Sequence, residues 1–557
     1  MAVLFLLTAF SLRAGVAQGE HGMVVTVNPL ATQAGINAMK RGGNAIDAAV
    51  ASALTLGVVD GHNSGIGGGC FMLIRRANGS YLAIDGREMA PAKATRDMFL
   101  RDGKADAKLS QLGALAIATP GALAAYDSAL KRWGKISLKE HLLAAAKIAE
   151  DGFKVDKHYA EVLKDSADDL KKVESARAIS LKSDEKSFGE NDIIKQPDLA
   201  KTYRAVATNG IGWFYDGPFA QATEKWMKKN GGILTANDFK NYRAPLREPI
   251  FSNYRGYTIA TFPPPSSGGV HVIEILNMAE TKNLIAMKTN AADVIHFVSE
   301  AMKLAFADRA FWLGDPDFVK VPKNLISKKY ATNLAEKIDM RKTSVVKEHG
   351  SPDQAEEEIF PNLSKKHTTH FCAADADGNW VSCTATINTS YGSKVVIPGT
   401  GVMMNNEMDD FSAQPGAPNF FELIGAEANA IAPGKRPLSS MSPTIISRDG
   451  EPILALGAAG GPTIISQVVL TIINFVDLQM SLEDALKTPR FHHQWNPDEL
   501  KIEMKWAPSV MNDLEKRGHK LNKVSSFGAC QAIARNREGK GFIGAADPRG
   551  SGKAEGW

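Results

Sequence analysis

Two adjacent threonines, Thr368 and Thr369, open a β-rich stretch deep inside the chain, in the sequence KKHTTHFCAADADGNWVSCTATINT. A threonine hydroxyl is a poor nucleophile unless a base lies beside it, and an N-terminal threonine carries a base in its own α-amino group. This amine has a reference pKa of about 8, and burial lowers that pKa further. Thr368 is therefore either an ordinary β-branched strand residue or a nucleophile that is created when the chain is cut after His367.

The turn that follows these threonines determines the partner of Thr368 in the predicted hairpin. The sequence DADG at residues 375–378 is typical of a type I turn, with glycine at the position that requires positive φ. The resulting three-residue loop pairs Asp375 with Asn379 and places Thr368 opposite Thr386. One face of the hairpin then holds Phe371, Ala373, Val381, Cys383 and Ala385. The other face holds Thr368, His370, Ser382, Thr384 and Thr386.

A two-residue Asp-Gly turn is the alternative, and it would shift the register by one residue. Thr368 would then face Ile387, and Cys372 would face Cys383. We favour the first register because it separates an apolar face from a polar one. It places the two cysteines on opposite faces, and we therefore expect free thiols.

The histidines beside the threonines, His367 and His370, raise the question of a zinc site. Residues three apart in a strand point to opposite faces, and no carboxylate motif accompanies this pair. We therefore expect a structural histidine here, with neither a metal nor another cofactor in the protein.

The segments around the hairpin predict sheets covered by helices. Residues 340–364 are polar and aperiodic, which indicates an exposed linker that ends just before Thr368. Two helices and a hairpin are predicted between residues 28 and 88, and mostly helical structure from about 110 to 310. Further strands are predicted at 368–375, 380–388, 394–397, 401–404, 442–448 and 453–456, and helices at about 462–477 and 481–487. Strands grouped between helical segments are typical of layered α+β folds.

Composition narrows the class of protein. The chain has 557 residues, of which 44% are hydrophobic, so it can bury a large core. Its net charge is only +4, without a concentrated basic segment, which argues against a nucleic-acid partner. Residues 1–17 combine an apolar run with small residues near Ala17, and this pattern predicts a signal peptide and a periplasmic or secreted protein. No later segment predicts a membrane span.

Eight motifs together resemble the γ-glutamyltranspeptidase family of N-terminal nucleophile hydrolases. They are GGNAIDAAVA, REMAPAKATRDMF, PPPSSGG, HTTHF, TINTSYG, NNEMDDFSAQPG, KRPLSSMSPT and PRFHHQWNPDEL, in family order over nearly the whole chain. The resemblance implies a four-layer αββα sandwich and a precursor that cleaves itself. The large subunit would comprise residues 18–367 and the small subunit residues 368–557, and the two would form a heterodimer.

The resemblance also implies roles for individual residues. Thr368 matches the nucleophile, and Thr386 matches the threonine whose hydroxyl supports it. Gly460 and Gly461 match the backbone N–H pair that stabilises the oxyanion. Arg87, assisted by Ser439, matches the cationic group that holds the α-carboxylate of the substrate. The group that holds the α-ammonium matches Asp410, Asn388 and Glu407, with Ser440 beside them.

Three positions depart from the family pattern. Gly86 stands where an aromatic residue usually precedes Arg87. The sequence GAAGGPT replaces GSPGGSR and so lacks a serine and an arginine near the oxyanion strand. Phe421 replaces a tyrosine in the segment 415–426, which resembles the lid over the substrate. No named catalytic group is lost, but the resemblance does not specify substrate preference, acceptor preference or rate where these positions differ.

The function implied is transfer of the γ-glutamyl group of glutathione or related amides to water or an amino acid. The alternatives are a cephalosporin (glutaryl) acylase of the same fold and an uncleaved, catalytically silent homologue. The segment resembling a lid and the charged pair Arg87 and Asp410 favour the transpeptidase, and the intact HTTH sequence argues against the silent homologue.

Overall fold

Two seven-stranded antiparallel sheets lie face to face at the centre of the molecule, and helices cover the outer face of each. The computed structural model describes residues 15–352, 368–414, 416–420, 422–537 and 539–557. Sheet I contains the hairpin that Thr368 opens, and sheet II packs against the polar face of this hairpin. The predicted four-layer αββα arrangement is confirmed.

The two central sheets draw strands from both ends and the middle of the chain. In spatial order, the strands of sheet I are Lys553–Gly556, Gly22–Thr26, Thr369–Asp375, Trp380–Thr386, Gly69–Arg75, Tyr81–Gly86 and Leu246–Arg247. Those of sheet II are Val16–Gly19, Phe542–Ala546, Ala529–Arg535, Glu451–Ala459, Thr444–Arg448, Tyr257–Thr261 and Ile250–Tyr254. One smaller sheet contains Phe491–His492, Leu500–Glu503 and Leu521–Val524. Another pairs Leu100–Arg101 with Lys104–Ala105, and another pairs Phe153–Lys154 with Ile193–Ile194.

Helices form the two outer layers. Those against sheet I include Pro29–Lys40, Ala45–Val59 and Ala122–Trp133, and those against sheet II include Ser267–Glu280 and Thr463–Val476. The other α-helices are Ala107–Gln111, Leu138–Asp151, Lys157–Leu170, Glu174–Ser180, Pro197–Asn209, Gly212–Tyr215, Pro218–Lys229, Ala236–Asn241, Leu284–Met287, Ala291–Trp312, Lys328–Ala335, Leu482–Lys487 and Pro508–Lys516. Short 3₁₀ helices span Ala114–Ala116, Lys323–Ile326, Glu407–Asp410 and Glu427–Asn429. In the part of the chain that the structure describes, we find no helix with the length and apolar character that a bilayer span requires.

The central hairpin has the predicted three-residue loop and register. Asp375 N donates to Asn379 O at 3.0 Å, and Thr369 is paired with Ala385. Thr368, one residue before Thr369, therefore lies opposite Thr386, as predicted. Both faces of the hairpin are buried, because helices cover the apolar face and sheet II covers the polar one.

The carboxylate of Asp375 fixes this hairpin to the outer helix layer. Its Oδ1 accepts the N–H of Asn379 at 2.9 Å, and its Oδ2 accepts the N–H of Ala45 at 2.8 Å. Ala45 begins the fully buried helix Ala45–Val59, whose N-terminus favours a negative charge. The Asp375 side chain therefore stabilises the turn itself and also binds the turn to the helix Ala45–Val59.

The predicted free thiols are confirmed. All four cysteines are buried and free, and Cys372 is paired in register with Ser382 rather than with Cys383. Burial raises the pKa of the thiols of Cys372 and Cys383 well above the usual range, so both remain protonated.

Gly457 of sheet II packs directly against His370 of sheet I. A Cβ at Gly457 would lie 2.3 Å from Cε1 of His370, whose Nδ1 is hydrogen-bonded to Thr384 Oγ1 at 2.8 Å. Burial lowers the pKa of His370 to about 3, so the ring is neutral.

We therefore expect Gly457→Ala to destabilise the protein by about 1–3 kcal/mol, the usual cost of overpacking a core. The free energy of unfolding, measured with denaturant, checks this. Gly212→Ala is the matched control, because a Cβ there meets nothing within 4 Å. Equal stabilities for the two variants would contradict the close approach of the sheets.

Several strands lie outside the predicted stretches. Residues 250–261, within a segment predicted to be mostly helical, form the last two strands of sheet II, with Ile250–Tyr254 at its edge, and the chain termini add further strands. Conversely, residues 394–397 and 401–404 contain only an isolated bridge between Val396 and Met403. Gly399 and Gly401, both with positive φ, interrupt a longer ladder there.

The predicted processing sites lie largely outside the described residues. Residues 1–14 of the predicted signal peptide, residues 353–364 of the predicted linker and the following residues up to His367 are not described. Val16–Gly19 pairs with Phe542–Ala546 as an edge strand of sheet II. Cleavage after Ala17 would therefore remove half of this strand.

Candidate active site

Thr368 lies immediately before the strand Thr369–Asp375 and is 8% exposed. Its hydroxyl donates to Thr386 Oγ1 at 3.4 Å. The same oxygen of Thr386 accepts the backbone N–H of Asn388 at 2.9 Å, where the chain leaves the strand with a positive φ. The hydroxyls that the hairpin register predicts to be opposed are therefore in contact.

A narrow pocket beside Thr368 gathers residues that are distant in sequence. Its lining consists of Arg87, Thr368, Thr386, Asn388, Glu407, Asp410, Ser439, Ser440, Met441, Gly461 and Ile464. Every site residue predicted from the sequence lines this pocket except Gly460, which adjoins Gly461. Among the described residues, no group of three or more His, Cys, Asp or Glu side chains is placed to hold a metal ion.

The guanidinium of Arg87 is the cationic centre of this pocket. Arg87 follows the strand Tyr81–Gly86 and is 1% exposed. Its Nε donates to Pro437 O at 2.9 Å, which orients the planar group. Its two terminal nitrogens form ion pairs with Glu407 and, at 2.5 Å, with Asp410.

Three buried carboxyl groups surround this guanidinium, namely Glu88, Glu407 and Asp410. Glu88 Oε2 lies 3.6 Å from Arg87 Nη1. Burial raises the pKa of Glu88 to about 8 and the pKa values of Glu407 and Asp410 well above their usual range, against the opposing effect of Arg87. Because burial and mutual repulsion disfavour three adjacent carboxylates, we expect the cluster to retain at least one proton at neutral pH. Glu88 was not among the predicted residues, although its position next to Arg87 was an available signal.

A second buried arginine, Arg309, supports the two serines of the pocket. Its Nε donates to Ser267 Oγ at 2.9 Å, and its Nη2 donates to Ser440 Oγ at 3.0 Å. Ser267 Oγ in turn donates to Ser439 O at 2.8 Å. Burial lowers the pKa of Arg309 to about 9. Arg309 was not among the predicted residues, although a basic residue within the buried helix Ala291–Trp312 was an available signal.

The two candidate oxyanion glycines form the turn between the strand Glu451–Ala459 and the helix Thr463–Val476. Gly460 and Gly461 have φ values of 129° and 62°, a region that favours glycine. Within the described part of the chain, neither backbone N–H donates to a protein acceptor. Both are therefore available to a ligand oxygen.

The departures from the family pattern have local explanations where the structure describes them. A Cβ at Gly86 would lie 2.8 Å from Ala125 Cβ, so the helix Ala122–Trp133 leaves no room for an aromatic residue there. In the GAAGGPT turn, the hydroxyl of Thr463 donates to Gly460 O at 2.6 Å. Phe421 lies outside the described residues.

Known proteins and solved structures resemble this chain over nearly its whole length. A family model described as Gamma-glutamyltranspeptidase matches residues 31–557. The glutathione hydrolase proenzyme of Escherichia coli K12 is 43% identical over 535 residues, 96% of this chain and 91% of that protein. The crystal structure of cephalosporin acylase from Bacillus halodurans has a TM-score of 0.87 at 28% identity, covering 100% of this chain and 99% of that one. The crystal structure of Helicobacter pylori gamma-glutamyltranspeptidase has a TM-score of 0.58 at 41% identity, covering 59% of this chain and 95% of that one.

Proposed function

The chain belongs to the γ-glutamyltranspeptidase family, and from this premise we propose that it transfers the γ-glutamyl group of glutathione and related amides to water or an amino acid. The family and the enzyme class predicted from the sequence are confirmed by the relatives. The observation that carries the proposal is the pocket in which Thr368 lies with the cationic Arg87 and the acidic Asp410. A γ-glutamyl donor presents an α-carboxylate and an α-ammonium, and these two residues are the complementary charges.

Maturation comes first in this proposal. The precursor cleaves itself between His367 and Thr368, and the large and small subunits remain associated as a heterodimer. The strands Gly22–Thr26 and Trp380–Thr386, one from each subunit, flank Thr369–Asp375 in sheet I, which supports a cut chain that stays together. The cut exposes the α-amino group of Thr368, the base that the intact chain lacks there.

The mature enzyme then acts in two steps. Thr368 Oγ attacks the γ-carbonyl carbon of the donor, and the hydroxyl proton passes to the α-amino group of Thr368. The C–N bond breaks, the amine leaves with this proton, and a γ-glutamyl ester remains on Thr368. Water or an acceptor amine then attacks the ester carbonyl, the C–Oγ bond breaks, and Thr368 Oγ regains a proton through its α-amino group. Thr386 orients the attacking hydroxyl, and the N–H groups of Gly460 and Gly461 receive the oxyanion.

Donor binding exchanges ion pairs within the pocket. Without a ligand, the guanidinium of Arg87 is already paired with Glu407 and Asp410. We infer that the donor α-carboxylate takes the place of these carboxylates on Arg87, with a hydrogen bond from Ser439. The α-ammonium is then held by Asp410, Glu407, Asn388 and Ser440. Each charge of the donor then faces an opposite charge of the pocket, which avoids the penalty of an isolated ion.

We expect Arg87→Ala and Asp410→Ala each to lower kcat/KM for glutathione by at least about tenfold, because charge-assisted hydrogen bonds contribute about 1.5–3 kcal/mol. Self-cleavage should continue in both variants, since the donor takes no part in it. Steady-state kinetics and a denaturing gel measure the two effects. Arg96→Ala is the control, because Arg96 pairs with the exposed carboxylate of Glu427. Normal turnover by both pocket variants would remove these residues from donor binding.

A cephalosporin acylase remains the second candidate, because the acylase of Bacillus halodurans matches the entire chain. Assaying glutathione beside a glutaryl-cephalosporin separates the two functions. A glutaryl group lacks the α-ammonium, so the acidic side of the pocket favours glutathione. Faster hydrolysis of the glutaryl substrate would overturn the proposal. A single uncleaved band, with neither activity, would instead indicate the silent homologue.

We also propose that the protein is exported to the periplasm or secreted. The support is the apolar run of residues 2–10 followed by small residues up to Ala17. Cell fractionation tests this, and activity confined to the cytoplasmic fraction would contradict it.

A further inference from the structure

The two carbonyl groups of the oxyanion turn are held by side chains of the helix that follows it. Gln467 Nε2 donates to Ala459 O at 2.9 Å. Thr463 Oγ1 donates to Gly460 O at 2.6 Å. Gln467 Nε2 also donates to Thr463 Oγ1 at 3.2 Å, which directs the proton of that hydroxyl towards Gly460. Two consecutive peptide groups are therefore held from one side by one connected network.

A planar trans peptide converts this hold on the carbonyls into an orientation of the N–H groups. In such a peptide, the C=O of one residue and the N–H of the next point in opposite directions. Fixing Ala459 O therefore fixes the N–H of Gly460, and fixing Gly460 O fixes the N–H of Gly461. Both N–H groups must point away from Gln467 and Thr463. Gly461 lines the pocket of Thr368, so we infer that this orientation directs its N–H group towards the pocket.

The side chain of Gln467 is closely packed against Gly528. It is fully buried, and a Cβ added to Gly528 would lie 2.1 Å from its Nε2 and 2.4 Å from its Oε1. Ala459 O can only accept a hydrogen bond, so the amide nitrogen, not its oxygen, must face the turn. The close packing and this hydrogen bond together hold the amide nitrogen of Gln467 against the oxyanion turn.

We propose that Gln467 and Thr463 are positioning residues that orient the N–H groups of Gly460 and Gly461 for the oxyanion formed at the donor carbonyl. The proposal rests on the function proposed above. Thr463 stands where the family pattern has an arginine, so this support for the oxyanion turn depends on residues that this chain carries itself. The effect should be confined to the transition state, because the substrate carbonyl carries little charge before attack.

Thr463→Val tests the hydroxyl while keeping the β-branched shape. We expect kcat for a γ-glutamyl anilide to fall about ten- to thirtyfold, with KM changed less than about twofold. Thr463→Ser retains the hydroxyl and should restore kcat to within about threefold of the wild type. Gln467→Met removes the other donor and should lower kcat similarly, which provides a second variant if Thr463→Val matures too poorly to assay.

Thr471→Val is the matched control on the same buried helix. Its hydroxyl donates to Gln467 O of the same helix at 2.8 Å and lies 3.8 Å from Cys530 Sγ. This variant loses a buried hydroxyl without touching the oxyanion turn, so its kcat should remain near that of the wild type. An equal fall in kcat for Thr471→Val and Thr463→Val would reduce the role of Thr463 to stability and overturn the proposal.

A boronate analogue of the γ-glutamyl donor provides a readout that a purely structural role would not move. Its tetrahedral adduct with the Thr368 hydroxyl places an oxygen where the oxyanion forms. We expect Thr463→Val to weaken boronate inhibition by the same factor as kcat. An unchanged inhibition constant, or an unchanged kcat in an otherwise active enzyme, would overturn the positioning role and leave the proposed function intact. A wild type that turns over no γ-glutamyl donor would overturn the proposed function itself.

Discussion

Thr368→Ala should remain a single uncleaved chain with no detectable γ-glutamyl transfer or hydrolysis. The alanine lacks the hydroxyl that attacks in both self-cleavage and turnover, and without cleavage the α-amino base is never released. A denaturing gel and a glutathione assay measure the two losses. In the wild type, N-terminal sequencing of the small subunit should begin Thr-Thr-His-Phe.

Thr368→Ser is the control for this prediction. It keeps a hydroxyl in the same position, so both cleavage and activity should persist at reduced rates. A wild-type small subunit that begins elsewhere, or an active Thr368→Ala variant, would exclude Thr368 as the nucleophile.

Thr386→Val should lower kcat about ten- to a thousandfold and slow maturation, on the scale of losing one oriented polar group in an active site. Its hydroxyl is the contact of Thr368 Oγ1 at 3.4 Å, and valine keeps the β-branched shape of a strand residue. The same oxygen accepts the N–H of Asn388, so the variant should also lose about 1–3 kcal/mol of stability from an unpaired buried donor. Kinetics are therefore compared well below the melting temperature of each variant.

Ile387→Val is the neighbouring control, fully buried but without a polar group to lose. It should cost about 0.5–1.5 kcal/mol of stability, the usual result of removing one methylene, with little change in kcat. Thr386→Ser should recover most of the activity. If Ile387→Val proved the more damaging change, the support that we assign to Thr386 would be wrong.

The central hairpin could be predicted from the sequence because its determinants are local. The DADG turn and the period-2 separation of apolar and polar residues specify one register, and a shift by one residue would reverse every side chain. The contact between Thr368 and Thr386 follows from that register alone. The buried helix after Asn44 has the same origin, since its capping residues Asn44 and Asp47 lie in one short segment.

The composition of the pocket was decided by tertiary structure, because its members are brought together by strand order. Arg87 meets Glu407 and Asp410 across more than 300 residues, and Arg309 reaches Ser440 from a different layer. Motif resemblance named most of these residues but could not indicate that Arg87 is already paired with both carboxylates, or that Glu88 joins them. The proposed orientation of the oxyanion turn depends likewise on Gln467, which packs against Gly528 of a segment distant in sequence. The local sequence pattern specifies which face of a strand a side chain lies on. The residues that it contacts across that face depend on how distant segments pack, and the register of one hairpin does not determine that packing.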